Sequence, residues 1–106
     1  ASGGIDLARA AHDYLRVGKT EAAEGALVGA LLRTPEEGRL YRQLAVEVYA
    51  KRGDFETAEG VLRAGERNAL DMMPVYQGVT EVLGRQQAWL SKDIDARPRT
   101  DGKASQ

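Results

Sequence analysis

The chain has 106 residues, of which 42% are hydrophobic and 29% are charged, as expected for one small soluble globular domain. Its 15 Lys and Arg against 16 Asp and Glu give a net charge of -1, which offers no attraction for nucleic acid, anionic membranes or strongly charged substrates. The lack of cysteine excludes disulfides and thiolate chemistry, and leaves open a cytoplasmic or a bacterial periplasmic location. No apolar run approaches the roughly 20 residues that cross a bilayer, and the start at Ala1 without methionine indicates a processed or shortened product.

The first part of the chain predicts two helices and the start of a third. Gly18 ends the first helix, because a helix end favours a residue that reaches positive φ. The second helix is predicted from about Thr20 to Arg33, and Thr34-Pro35-Glu36-Glu37 then predicts a helix start with a threonine cap, a proline at the first position and a closing glutamate. Apolar stripes at spacings of three and four consist of Leu7, Ala10, Ala11, Tyr14 and Leu15, then Ala23, Leu27, Ala30 and Leu31.

The second part of the chain predicts two more helices and a tail. A fourth helix is expected to run to about Asn68, and a fifth from about Met73 to Trp89. From Ser91 onward the sequence mixes charges and has almost nothing to bury, so we expect a helical domain over residues 1–90 and a polar tail over 91–106 that is disordered or ordered by a partner. The stripes of the last three helices are Leu40, Tyr41, Leu44 and Val48, then Phe55, Ala58, Val61 and Leu62, then Val75, Tyr76, Val79, Val82 and Leu83.

The tripeptide Arg52-Gly53-Asp54 has two possible meanings. Some adhesive proteins present this tripeptide to integrin receptors, on an exposed loop tip. In the other interpretation it is a hairpin turn in which Gly53 ends one helix and Asp54 caps the next. The corresponding Val17-Gly18-Lys19 keeps the glycine and loses both charges, as a structural repeat would, so a turn is predicted.

The chain matches itself after a shift of 35 residues. One displacement aligns both turn glycines, Gly18 and Gly53, and the residues around them. The other aligned sets are Tyr14 with Tyr49, Glu21 with Glu56, Ala23 with Ala58, Glu24 with Glu59, Gly25 with Gly60, Leu27 with Leu62, Ile5 with Leu40 and Val75, Tyr41 with Tyr76, Leu44 with Val79, and Val48 with Leu83. The chain therefore consists of two full units and the first half of a third.

Each unit places large apolar, small and turn residues in the same order. These are Leu7, Ala10, Ala11, Tyr14, Gly18, Ala23, Leu27, Ala30 and Pro35 in unit one, and Tyr49, Gly53-Asp54-Phe55, Ala58, Leu62 and Gly65 in unit two. The pattern resembles the tetratricopeptide repeat, a helix–turn–helix unit of about 34 residues, over roughly residues 4 to 89. Unit two departs from it at Arg42, where a bulky apolar residue is usual. The resemblance implies an all-α fold: a short right-handed solenoid of antiparallel helix hairpins, with five helices and an irregular C-terminal tail.

This resemblance also implies a function as a non-catalytic interaction or scaffold module. Such a module binds a peptide or helix of a protein partner on its concave face, within a larger complex. The family's inner positions correspond to nine residues here: Ile5, Ala8, His12, Arg16, Gln43, Glu47, Lys51, Gln77 and Glu81. The carboxylate clamp of chaperone-binding members is absent, because Ala8, His12 and Leu44 occupy its places. An ordinary solvated face is the alternative interpretation of this surface.

Two other functional classes are disfavoured. The spacing of 35 residues also resembles the pentatricopeptide repeat, which implies binding of single-stranded RNA, but the chain lacks a long array and a basic groove. Catalysis is not expected, because Ser2, Ser91 and Ser105 lie in the termini and no Gly-rich phosphate loop precedes a helix. His12 stands alone without cysteine or an acidic cluster, so neither a metal nor another cofactor is predicted.

The fifth helix belongs to a half unit without a partner helix. Its apolar residues Tyr76, Val79, Leu83 and Trp89 are therefore expected to form a face that is covered by the tail, a second copy or another protein. Two and a half repeats are few for an independent solenoid, so a homo-oligomer or a subunit of a larger assembly is expected.

Four glycines fall inside the predicted second helices of the two units. Each costs about 1 kcal/mol relative to alanine in a helix interior. Such a cost predicts another helix packed very close, within the chain or from a partner. The four are Gly25, Gly29, Gly60 and Gly65.

Overall fold

The computed structural model describes the backbone of residues 3–96 and the side chains of residues 5–92. Every element in this part is helical and none is a strand, so the predicted all-α class is confirmed. Four elements are α-helices: α1 Gly3–Arg16, α2 Thr20–Arg33, α4 Phe55–Asn68 and α5 Met73–Ala96. The remaining element, α3, consists of the α-helical Gly38–Arg42, the π-helical Gln43–Tyr49 and the 3₁₀ turn Ala50–Arg52. Among residues 3–96, no helix combines the length and apolarity needed to cross a membrane.

Both turn glycines end helices as predicted. Gly18 has a φ of 80° and Gly53 a φ of 85°, in the left-handed region that glycine adopts without steric cost. After Gly53, the Asp54 Oδ1 accepts a hydrogen bond from the backbone N–H of Thr57 at 3.2 Å and caps α4. The structure therefore confirms that Arg52-Gly53-Asp54 is a turn between helices.

The predicted start of α3 at Thr34 is wrong. The Thr34 hydroxyl donates to the Ala30 carbonyl at 2.9 Å, so this side chain closes the end of α2 instead of opening α3. Helix α3 begins at Gly38, and Glu37 precedes it without a side-chain cap. The intervening turn is held from elsewhere in the chain, because the backbone N–H of Leu70 donates to the Glu36 carbonyl at 3.0 Å. A tertiary contact has overridden a local start signal.

Helix α5 is longer than predicted. It ends at Ala96 instead of Trp89, so the first residues of the segment predicted as an irregular tail are helical. The rest of that segment, residues 97–106, lies outside the described residues.

Two apolar clusters flank α3 and form the core. The first joins α1, α2 and α3, the second joins α3, α4 and α5, and Tyr49 and Val61 pack against both. The predicted stripes supply most of the buried residues, with Tyr14, Tyr76 and Leu83 as exposed exceptions. The buried members are Ala11, Ala26, Leu27, Ala30, Leu40, Leu44 and Val48 in the first cluster, and Ala45, Val46, Ala50, Ala58, Leu62, Val75 and Val82 in the second.

The four helix-interior glycines divide into two pairs. A Cβ on Gly29 would lie 3.1 Å from a methyl group of Leu7, and one on Gly65 would lie 3.0 Å from Cγ of Tyr41. These two permit close packing within the chain, as expected. Gly25 and Gly60 are exposed, and no heavy atom lies within 4 Å of a Cβ built on either. The expected close contact is therefore absent within the described chain for the second pair.

Candidate partner-binding surface

The surface between α1 and α3 contains two adjoining depressions. The upper depression, near the start of α1, has a volume of about 380 Å³, and the lower depression, near the end of α1, has a volume of about 320 Å³. Arg42 and Gln43 line both. The upper lining is completed by Ile5, Ala8, Thr34, Glu37, Arg39 and Leu40, and the lower by His12, Leu15, Arg16 and Glu47. Six of the nine residues predicted for the concave face thus lie together: Ile5, Ala8, His12, Arg16, Gln43 and Glu47.

The α3 side of this surface is the π-helical segment. Gln43 and Glu47 both belong to Gln43–Tyr49, where backbone hydrogen bonds skip one residue more than in an α-helix. Long π-helical runs are rare, and short ones occur often at functional sites. No sequence signal for this segment was recognised.

Two charged residues of this surface, Arg42 and Glu47, are paired with charged residues of α5. The Arg42 Nε donates to the Glu81 Oε1 at 2.6 Å, which ties α3 to α5 beside the depressions. The Arg85 guanidinium lies 3.9 Å from the Glu47 carboxylate, a second and looser link between the same helices. Glu81, a predicted concave residue, therefore reaches the site through Arg42. Sequence reasoning missed Arg42, although a charged residue in place of a bulky apolar one was a usable signal.

The two remaining predicted residues lie apart from the depressions. Lys51 is exposed at the end of α3 and lines a third depression of about 250 Å³ with Arg85, Trp89 and Lys92. Gln77 is exposed on α5 and lines none of these three depressions. The structure therefore gathers the predicted concave residues chiefly between α1 and α3.

The residues predicted to form one apolar face on α5 separate into two groups. Tyr76 and Leu83 are 55% and 54% exposed and point outward. Val79 packs against the core cluster that joins α3, α4 and α5. Trp89 is 52% exposed, but its ring meets Phe55 edge to face, with centroids 5.9 Å apart. Trp89 points in another direction because six residues make about one and two-thirds turns, which places it about 120° around the helix from Leu83.

A hydrogen-bonded group lies behind the Gly53 turn. The Tyr49 hydroxyl donates to the Glu24 carboxylate at 2.6 Å, and the Arg52 guanidinium donates to it at 3.0 Å. The hydrogen bond from Tyr49 and that from Arg52 lower the pKa of Glu24. Burial, together with the nearby carboxylate, raises the pKa of Tyr49 to about 12. The Arg52 guanidinium is therefore bound to a carboxylate of its own chain, unlike an arginine that is displayed for a receptor.

Comparison with protein-family models, with curated proteins and with solved structures gives no match to this chain. Within residues 3–96, no three His, Cys, Asp or Glu side chains are grouped so that they could hold a metal ion. The chemistry that the α1–α3 surface offers is contact with apolar groups at Ile5, Ala8 and Leu15, and hydrogen bonding at Gln43 and His12.

Proposed function

We propose that this protein is a tetratricopeptide-like solenoid that acts as a non-catalytic interaction and assembly module. It binds a peptide or helix of a partner protein on the concave surface between α1 and α3. The observation that carries the proposal is the pair of joined depressions, lined by six residues at positions where the resembled family binds peptides. The 35-residue internal repeat supports the solenoid arrangement.

The lining favours a segment with apolar side chains and few charges. Ile5 is 63% exposed beside Ala8, so an apolar side chain of the partner would gain burial there. Gln43 is half-buried and lines both depressions, so its amide is placed to hydrogen-bond a peptide backbone that crosses from one to the other. Arg42 and Glu47 already face charged residues of α5, so a charged partner group would have to compete with these pairs.

The test is selection of binders from a displayed peptide library on the intact chain, followed by titration. The substitutions His12→Glu and Gln43→Glu place two carboxylates on this surface and should weaken the affinity for the selected peptides by at least about tenfold. The matched control carries Ala22→Glu and Gly25→Glu on the exposed side of α2, where a new side chain meets open space. Equal loss in both variants, or no loss in the first, would exclude the α1–α3 surface as the binding site. An affinity pull-down with the same pair of variants extends the test to natural partners.

Binding of single-stranded RNA, as in pentatricopeptide repeats, is the second candidate. The observation that favours it is the third depression, in which Lys51, Arg85 and Lys92 lie around the half-exposed ring of Trp89. Cations beside an exposed aromatic ring are the elements with which proteins bind single strands. Fluorescence anisotropy with single-stranded oligonucleotides at low salt tests it. Binding that weakens with salt and with Trp89→Ala would support RNA, and no binding at low salt would remove this candidate.

A further inference from the structure

The outward side of α5 carries no charge over five turns. Between residues 73 and 91 the only charged residues are Glu81 and Arg85, and both turn towards α3, where they meet Arg42 and Glu47. The exposed residues on the other side form what we call the uncharged stripe: Met73, Tyr76, Gln77, Thr80, Leu83, Gly84, Gln87, Leu90 and Ser91. A surface helix ordinarily carries charged residues opposite its packed side.

Helix α4 provides the comparison within the same chain. Its exposed residues include five charges, which are Glu56, Glu59, Arg63, Glu66 and Arg67. Depletion of charge, together with exposed aromatic and large apolar residues, is the composition that marks the centre of a protein interface. Exposed Tyr76, Leu83 and Leu90, at 55%, 54% and 53%, give the uncharged stripe this composition.

The internal repeat identifies what normally covers these positions. A shift of 35 residues places Tyr76 on Tyr41 and Thr80 on Ala45. In α3 both counterparts are buried, with Tyr41 5% exposed and Ala45 fully covered. Helix α4 lies over Tyr41 at Gly65, where a Cβ would come within 3.0 Å of the tyrosine Cγ. Tyr76 and Thr80 therefore occupy positions that are covered by packing in α3 and uncovered in α5.

The described chain does not provide a covering helix of its own. One repeat beyond α4 corresponds to residues 90–103. The first part of that segment continues α5 as far as Ala96, and Pro98 follows. A helix packed on the uncharged stripe is therefore not among the described elements of this molecule.

We propose that this helix is α5 of a second copy, paired antiparallel about a two-fold axis at Thr80. In this arrangement Thr80 faces Thr80 of the second copy, and Tyr76 faces Gly84 of the second copy. The contact between Tyr76 and Gly84 occurs twice because of the two-fold symmetry. No heavy atom lies within 4 Å of a Cβ built on Gly84, so the space beside it is open to a tyrosine ring. The contact of Tyr76 with Gly84 would repeat, between copies, the contact of Tyr41 with Gly65 within the chain.

The charge distribution favours a second copy over a charged partner. Near a two-fold axis a residue faces itself or a close neighbour in sequence, so a charged residue there would meet a like charge. The uncharged stripe avoids this repulsion around Thr80, at the middle of its length of about 27 Å. A single helix face is small compared with the roughly 800 Å² per partner of a stable complex, so we expect a weak dimer that forms only at high protein concentration. This self-association uses a different surface from the α1–α3 depressions and does not depend on partner binding there.

The first experiment is sedimentation velocity across about 5–500 μM. The wild-type chain should shift from the monomer mass of 11.5 kDa towards twice that mass. Gly84→Glu should remain monomeric with unchanged helicity, because its side chain enters open space in the monomer. Gly60→Glu is the matched control, at an exposed helix-interior glycine of α4 with equally open surroundings, and should dimerise like wild type. A wild-type chain that stays monomeric, or a Gly84→Glu variant that dimerises equally well, would overturn the proposal.

The second experiment tests the register and uses the absence of native cysteine. Thr80→Cys should form a disulfide-linked dimer under mild oxidation, because the axis brings the two positions within the roughly 7 Å that a disulfide spans. Gln87→Cys lies on the same stripe but about 21 Å from its counterpart in this arrangement, so it should cross-link much more slowly. Equal rates for the two variants, or faster linkage through Gln87→Cys, would show that α5 does not pair about Thr80.

Discussion

Alanine at Gly53 should destabilise the protein more than alanine at Gly18. Both glycines have nearly the same backbone conformation, with φ of 85° and 80°. Their surroundings differ, because a Cβ on Gly53 would lie 2.8 Å from Cζ2 of Trp89, whereas one on Gly18 would meet no heavy atom within 4 Å. The pair thus separates the cost of the left-handed conformation from the cost of contact with the tryptophan.

The two costs can be estimated from the geometry. A left-handed conformation costs a non-glycine residue about 1–2 kcal/mol, which is the whole loss expected for Gly18→Ala. An added methyl group in a packed site costs about 1–3 kcal/mol more, so Gly53→Ala should lose about 2–5 kcal/mol. A domain of this size unfolds with about 5–15 kcal/mol, so the difference is measurable.

Urea unfolding followed by helical circular dichroism measures both losses. Trp89 is the only tryptophan, so its fluorescence reports the same turn independently. In the Trp89→Ala background, Gly53→Ala should cost only about 1–2 kcal/mol, as at Gly18, because the ring is gone. Equal losses at the two glycines in the wild-type background, or an unchanged cost of Gly53→Ala without Trp89, would refute the packing of α5 on this turn.

Two further predictions concern Tyr49 and the helix glycines. Tyr49→Phe removes the hydrogen bond to Glu24 and should lower the free energy of unfolding by about 1 kcal/mol at neutral pH in urea titrations. The pKa of Tyr49 is raised from 10.0 to about 12. The stabilisation by its hydroxyl is therefore complete below about pH 10 and is lost as the pH rises towards 12. An equal fall in the free energy of unfolding of wild type and Tyr49→Phe over this range would contradict the hydrogen bond from Tyr49 to Glu24. Gly60→Ala should stabilise by about 0.5–1 kcal/mol in the same assay, because the helix gains alanine in open space. Gly65→Ala should destabilise by about 1–3 kcal/mol against the ring of Tyr41, and similar effects at both glycines would argue against the close packing of α3 on α4.

The sequence predicted helices where the signals are local. Gly18 and Gly53 marked helix ends, and Asp54 marked a start, because left-handed φ and a side-chain cap act within one turn of chain. The bounds of α2 and α4 followed from these residues together with the apolar stripes. Six of the nine residues that the resemblance assigned to a concave face line the two depressions between α1 and α3.

Errors occurred where distant residues compete with a local signal. Thr34 carries a good cap sequence, but its hydroxyl bonds back to α2 while Leu70 holds the following turn. Trp89 was grouped with Leu83 as an uncovered residue, whereas its ring lies against Phe55. Partners that lie far away in sequence decided these cases, and periodicity carries no information about them.

The amino-acid sequence by itself determined the number of helices, the turns at Gly18 and Gly53 and most of the apolar side of each helix, because a helix registers its caps and its 3.6-residue periodicity locally. Only the tertiary structure decided how those helices meet. It replaced the middle of α3 by a π-helix, paired Arg42 with Glu81, and left the uncharged stripe of α5 uncovered. The physical reason is that the burial of a residue depends on which other helices pack against it. The lack of charge on α5 becomes informative only when the structure shows which side of that helix faces outward.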